Sequence, residues 1–138
     1  MRLDEGDARQ RFAQARVARL ATADPAGQPH VVPVTFAVIG DEIVFAVDGK
    51  PKSTMDLRRL RNIEANPKVA FLVDHYDDDW AQLWWVRADG EAVIHDDGPR
   101  WEEAVRALRV RYPQYVDAPP RGPAVRTAVS GWSGWAAS

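Results

Sequence analysis

The run GKPKST, Gly49 to Thr54, gathers residue types that bind phosphate. Lys50 and Lys52 flank Pro51, and Ser53 and Thr54 open a predicted helix over Ser53 to Pro67. A helix N-terminus presents unpaired N–H groups, and two ammoniums with two hydroxyls around it make an anion cradle. Lys50 to Lys68 carries a local net charge of +4. The same residues also fit an ordinary capped helix with a solvated basic face, and both readings stand at this level. The GxxxxGK[ST] spacing is absent, so nucleotide hydrolysis draws no support.

A second constellation lies between Asp74 and Gly90. Asp74, Asp77, Asp78 and Asp79 lack the EF-hand pattern and read as a solvated turn rather than a hard-metal site. Trp84 and Trp85 must face opposite ways on a strand, Gln82 sharing a side with Trp84 and Arg87 with Trp85. Arg87 is placed to meet an anion or an acid of the neighbouring turn. His30, His75 and His95 have neither i,i+4 pairing nor nearby thiols, so no metal site is expected. No serine sits in a nucleophile elbow. The chain has no cysteine, which removes disulfides, thiolate metal sites and cysteine nucleophiles together. Six tryptophans against three lysines is the unusual entry in the composition. Arg126, Trp132 and Trp135 are expected to pack back onto the body, since a disordered tail cannot bury indoles.

The elements that must position these residues are mostly strands. Asp7 to Ala15 reads as a short helix with Phe12 inward. Val17 to Thr22, His30 to Val38 and Glu42 to Val47 read as strands, the last two a hairpin turning at Gly40-Asp41. Lys68 to Tyr76 is a strand, and Gln82 to His95 is a long strand or a hairpin folded at Asp89-Gly90. A helix opens at Pro99, Tyr112 to Gly122 is a Pro-rich loop, and Ala124 to Trp135 is a closing strand. Short hairpin links favour an antiparallel sheet closed or half-closed as a barrel, with helices outside. At 138 residues the chain supports one core, so residues 1–138 are expected to form one domain, with an N-terminal helix over 1–15 and a C-terminal strand or tail over 124–138. No signal peptide or apolar span is readable, which predicts a cytoplasmic protein with no membrane partner. A net charge of -2 argues against nucleic acid.

Four stretches then carry a family resemblance: VARLATADPAGQPHVVPVTF, KPKSTMDLRRLRNIEANPKVAFLVDHY, DWAQLWWVRADGEA, and the tail with Arg126 and Trp132. Together they resemble the pyridoxamine-5'-phosphate-oxidase-like FMN-binding split-barrel superfamily, and within it the actinobacterial F420-dependent oxidoreductases. The resemblance implies a mainly β, Greek-key-like antiparallel split barrel with flanking helices. It implies a homodimer with two cofactor sites in the groove between subunits. By motif, Lys50, Lys52 and Ser53, with Thr54 nearby, would hold the cofactor phosphate. Pro33, Val34 and Thr35 would meet the ring edge. Arg59 and Arg61 fall where a polyglutamate tail or the phosphate would lie, and Trp85, Arg87 and Trp132 would complete the cleft. The chain departs from the pyridoxamine oxidases themselves: their Arg-x-Val-Leu-Leu-Lys stretch is replaced by DEIVFAVDGKPKS, which argues against vitamin B6 oxidation.

The leading expectation is therefore an F420-dependent reductase that passes hydride to a small electron-poor conjugated substrate. An FMN-dependent oxidoreductase of the same fold is the alternative. A non-catalytic carrier of F420, flavin or haem is a third reading. No catalytic side chain is assigned. Solvent, Tyr76 and His75 all remain open as the proton source.

Overall fold

The computed structural model describes residues 1–47 and 57–138. The helix start at Ser53 and the whole GKPKST run lie outside them. Strands β1 (Ala18–Ala23), β2 (Pro29–Val34), β3 (Ala37–Ile39), β4 (Glu42–Ala46), β5 (Lys68–His75), β6 (Trp84–His95) and β7 (Ala124–Ala136) form one sheet in the order β2-β1-β5-β6-β7-β4-β3. Every neighbouring pair is antiparallel. The helices are α1 (Glu5–Gln14), α2 (Arg58–Ala65), α3 (Gly98–Arg111) and the short α4 (Gln114–Asp117).

This corrects the expectation of a mainly β split barrel. The fold is mixed α/β, and the sheet is open, with β2 and β3 at its two edges and no ladder joining them. The predicted strand His30 to Val38 is in fact two strands, and only Thr35 and Phe36 separate the two edges of the sheet. The edge residues explain the missing ladder. Pro29 and Pro33 pair with Ala23 and Arg19 of β1. A proline is tolerated in a ladder only where its missing donor faces the rim, so these two remove donors from the side a closing strand would need. Only three residues of β3 remain to meet them.

Local sequence accounts for the elements. Asp4 caps α1 by accepting from the Asp7 N–H at 2.8 Å, and Ala8 and Phe12, four apart, are its buried residues. Asp24 Oδ1 accepts from the N–H groups of Ala26 and Gln28, closing the β1–β2 turn around Gly27 at φ 84°. The segment expected to run from Gln82 to His95 as a strand or hairpin is one continuous strand over Trp84–His95, paired along its length with β7, while Gln82 closes a short 3-10 turn from Trp80. A bulge at Ser130 shifts that register beside Gly90. A Cβ on Gly90 would stand 2.3 Å from the Ala128 carbonyl oxygen, so the close approach of the strands requires glycine there.

The main core lies between the inner sheet face, α1 and α2. Phe12 is its centre, with ring centroids 4.8 Å from Phe36 and 5.3 Å from Trp132. A second cluster packs α3 through Ala104 and Leu108 onto the outer side of β3, β4 and β7 at Ala37, Val44 and Ala124. Among the described residues no helix is long and apolar enough to cross a membrane.

Candidate functional site

Three chain segments converge on the hydroxyl of Tyr112, just past α3. The Tyr112 hydroxyl accepts from the Phe36 N–H at 3.1 Å and donates to the Arg16 carbonyl at 2.8 Å. Arg111 Nε donates to it at 3.3 Å. The Arg111 guanidinium also donates to the carbonyls of Ala13 and Ala15, satisfying the C-terminal end of α1. This junction fixes the wall of a cavity of about 640 Å³ lined by Arg16, Val17, Thr35, Tyr112, Pro113 and Tyr115, with Gln114 beside them. Inside it, Thr35 Oγ1 and the Tyr115 hydroxyl share a hydrogen bond of 2.7 Å. The volume is within the range of small-molecule sites, about 300–1,000 Å³. Tyr112 and Tyr115 pack edge-to-face in its wall with ring centroids 5.7 Å apart, and this aromatic surface beside the Thr35 and Tyr115 hydroxyls suits a flat ring with polar edges.

Of the expected site residues, Pro33, Val34 and Thr35 lie at the end of edge strand β2. Thr35 lines the cavity, whereas Val34 is buried in the main core. Arg59 and Arg61 lie on α2. Arg59 is half-buried, burial lowers its pKa from the ordinary arginine value, and no acid among the described residues forms an ion pair with it. The buried face of α2 is secured by Asn62, which donates to Thr22 Oγ1 at 3.0 Å. Trp85 and Arg87 face outward on β6, with Trp85 opposite Trp135 and Arg87 opposite Ser133. Arg87 pairs with Asp89 of its own strand at 3.2 Å. Trp132 is on the other face of the sheet, in the core against Phe12. The structure thus brings Trp85 and Arg87 together but separates Trp132 from them. Lys50, Lys52, Ser53 and Thr54 lie outside the described residues.

Tyr112 and Tyr115 are the residues that sequence reasoning missed, because the Pro-rich stretch reads as a connecting loop. Two tyrosines three apart around a proline were the only signal. Arg126 is a buried anchor: it reaches Glu42 and Glu103 at 2.7 Å each and donates to the Arg100 carbonyl at 2.9 Å. Burial alone would raise the Glu42 carboxyl, but hydrogen bonds from Arg126 and Arg100, reinforced by their charges, hold it below the usual carboxylate range. Burial lowers the His95 pKa, and the charges of Arg100 and Arg126 lower it further. His75 stacks on Trp84 at 6.4 Å and lines a separate pocket with Arg11 and Gln82. Among the described residues no group of three histidine or acidic side chains is placed to hold a metal ion.

Residues 5–135 match the family model described as pyridoxamine 5'-phosphate oxidase. Over 56 residues the chain is 38% identical to the 5a,11a-dehydrotetracycline/5a,11a-dehydrooxytetracycline reductase of Streptomyces rimosus, a match covering 41% of this chain and 38% of that curated relative's length. Solved structures share the fold along nearly the whole chain. The conserved hypothetical protein Rv2991 of Mycobacterium tuberculosis superposes with a TM-score of 0.79 at 22% identity, covering 98% of this chain and 86% of that one. An FAD-binding protein of Mesorhizobium loti gives 0.77 at 21% identity, over 97% and 95% of the two chains. The haem storage protein HutZ of Vibrio cholerae gives 0.72 at 18% identity, over 97% and 95%.

Proposed function

Because this chain belongs to the pyridoxamine 5'-phosphate oxidase family, we propose that it is an oxidoreductase that binds a tricyclic flavin-type ring and uses it to reduce a small conjugated acceptor. The observation that carries the reading is the cavity at the end of β2, where Thr35, expected at the ring edge, shares the wall with Tyr112 and Tyr115 and is hydrogen-bonded to the Tyr115 hydroxyl at 2.7 Å. A flavin is favoured over F420, because a protein of this fold from Mesorhizobium loti is described as FAD-binding. The likeness to a Streptomyces reductase of dehydrotetracyclines supports a polycyclic, conjugated, electron-poor acceptor.

When bound in its reduced form, a ring of this class supplies a hydride. The protein's share is to bind, orient and exclude water. Lys50, Lys52, Ser53 and Thr54 would hold the phosphate, and Arg59, half-buried without an ion-pair partner among the described residues, would add charge beside it. Pro33 to Thr35 would line the ring edge. We also propose that the protein is a homodimer, as its bare outer sheet face exposes Val31, Leu72 and Trp135.

Titration of the purified protein with FMN, FAD and F420, for wild type and Lys52→Ala, tests this reading. Micromolar or tighter flavin binding, weakened about tenfold or more in Lys52→Ala by loss of a charge-assisted hydrogen bond, is the expected result. Tight F420 binding with none of flavin would transfer the reading to the deazaflavin. Binding without reductase turnover would make the protein a carrier. No binding of any of the three would overturn it.

A further inference from the structure

We propose that Tyr115 is the proton donor that completes the reduction, with Thr35 as its positioning residue; this rests on the functional reading above. Two tyrosines three residues apart differ in what their hydroxyls hold. The Tyr112 hydroxyl has Phe36, Arg111 and Arg16 as partners, and the residue is only 8% exposed, so that hydroxyl is spent on structure. The Tyr115 hydroxyl has one partner among the described residues, the Thr35 hydroxyl at 2.7 Å, and both belong to the cavity wall. Either oxygen of that pair can donate, so a proton can pass in either direction along it.

The other proton sources open from the sequence are poorly placed. Tyr76 is 67% exposed on the acidic turn. His75 lines the separate pocket with Arg11 and Trp84. Neither reaches the cavity wall that Thr35 and Tyr115 share.

The step balances as follows. The electron-poor carbon of an acceptor double bond conjugated to a carbonyl would accept the hydride, two electrons with one hydrogen, that a reduced ring of this class supplies when bound. The acceptor becomes an enolate. The Tyr115 O–H bond breaks and its proton passes to the enolate, giving the neutral reduced product. The phenolate is reprotonated by solvent water in a concerted relay through the Thr35 hydroxyl, which donates one proton to Tyr115 as it accepts another, and hydroxide is released to solvent. Positioned general acids contribute about 10²–10⁴-fold to such steps.

Two measurements test this. First, 4-nitrophenolate, whose oxyanion mimics the enolate, is titrated into cofactor-free protein and followed by its visible absorption. Wild type and Thr35→Ser are expected to bind it with a spectral shift, and Tyr115→Phe and Thr35→Val to lose at least about tenfold in affinity. Second, loaded Tyr115→Phe is expected to keep its cofactor affinity and KM while kcat falls about 100-fold. In D₂O, wild type should place solvent deuterium on one face of the product and the variant on both. Nitrophenolate binding unchanged in Tyr115→Phe, or kcat within twofold of wild type, overturns the proposal. A wild type that binds no flavin or deazaflavin overturns the functional reading first and the proton-donor role with it. A wild type that binds and reduces while Tyr115→Phe does so equally well overturns this proposal alone.

Discussion

The outer face of the sheet is finished in two different ways, and two arginines show it. Over β3, β4 and the first half of β7 it lies under α3, with Val44 and Ala124 packed against Leu108 and Arg126 only 4% exposed between Glu42 and Glu103. Over β2, β1, β5, the first half of β6 and the second half of β7, no helix among the described residues covers it. Arg87 is about half exposed there and pairs only with a neighbour on its own strand. Leu72 and Trp135 meet solvent at 38% and 39% exposure. A buried arginine needs its charges and donors matched within the chain, which makes the α3 half self-sufficient. The bare half carries apolar side chains with no helix among the described residues above them. It has the composition of a surface that a partner completes.

Substitutions can break or sharpen that contrast. The largest effect belongs to the covered half: Leu108→Ala, at a fully buried site, should cost about 2–5 kcal/mol in urea unfolding through lost burial and the cavity left behind. Next comes Glu42→Gln, which withdraws one of two carboxylates from buried Arg126 and should cost about 1–3 kcal/mol at neutral pH. Its pH dependence has a definite sign. The Glu42 pKa is lowered on folding, so its contribution is complete above the ordinary value of 4.5 and is lost as pH falls through the folded value. The acid limb of the stability profile should therefore be shallower in Glu42→Gln than in wild type. Smallest in stability is Leu72→Lys on the bare half, expected within about 0.5 kcal/mol at dilute concentration. The same change should shift sedimentation from dimer toward monomer. Were Leu72→Lys to destabilise the dilute protein as much as Leu108→Ala, the two halves would not differ as described.

Much of this architecture was legible in the residues. The strand expected over Lys68 to Tyr76 and the turn at Ala23 to Pro29 are right elements, because local chemistry decides them, whereas α1 is capped by Asp4 and not by Asp7, which lies within the helix and donates its N–H to that cap. Opposite facing of Trp84 and Trp85 followed from the strand period alone. What could not be read were the non-local choices. The break at Thr35 and Phe36 depends on which edge of the sheet each half of the segment joins, and no propensity encodes that. Barrel closure failed as an expectation because hairpin links specify neighbours but not whether the outermost strands meet. In the candidate site, Thr35 was anticipated through family likeness. Tyr115 was not, since its place in the cavity wall arises from contact with a residue eighty positions earlier in the chain.

The place of β7 has a consequence for when the molecule can exist as a whole. It follows the other six strands in the sequence, yet it is the strand that joins β6 to β4, with Glu42 waiting for Ala128 and Ala46 for Ala124. During synthesis the β3–β4 hairpin emerges early and must remain without its sheet neighbour until β7 arrives. Such distant pairing is slow, with folding times of milliseconds to seconds typical of strand-rich topologies. In that interval the unmatched β4 edge is the part of the nascent chain most in need of protection from other strands.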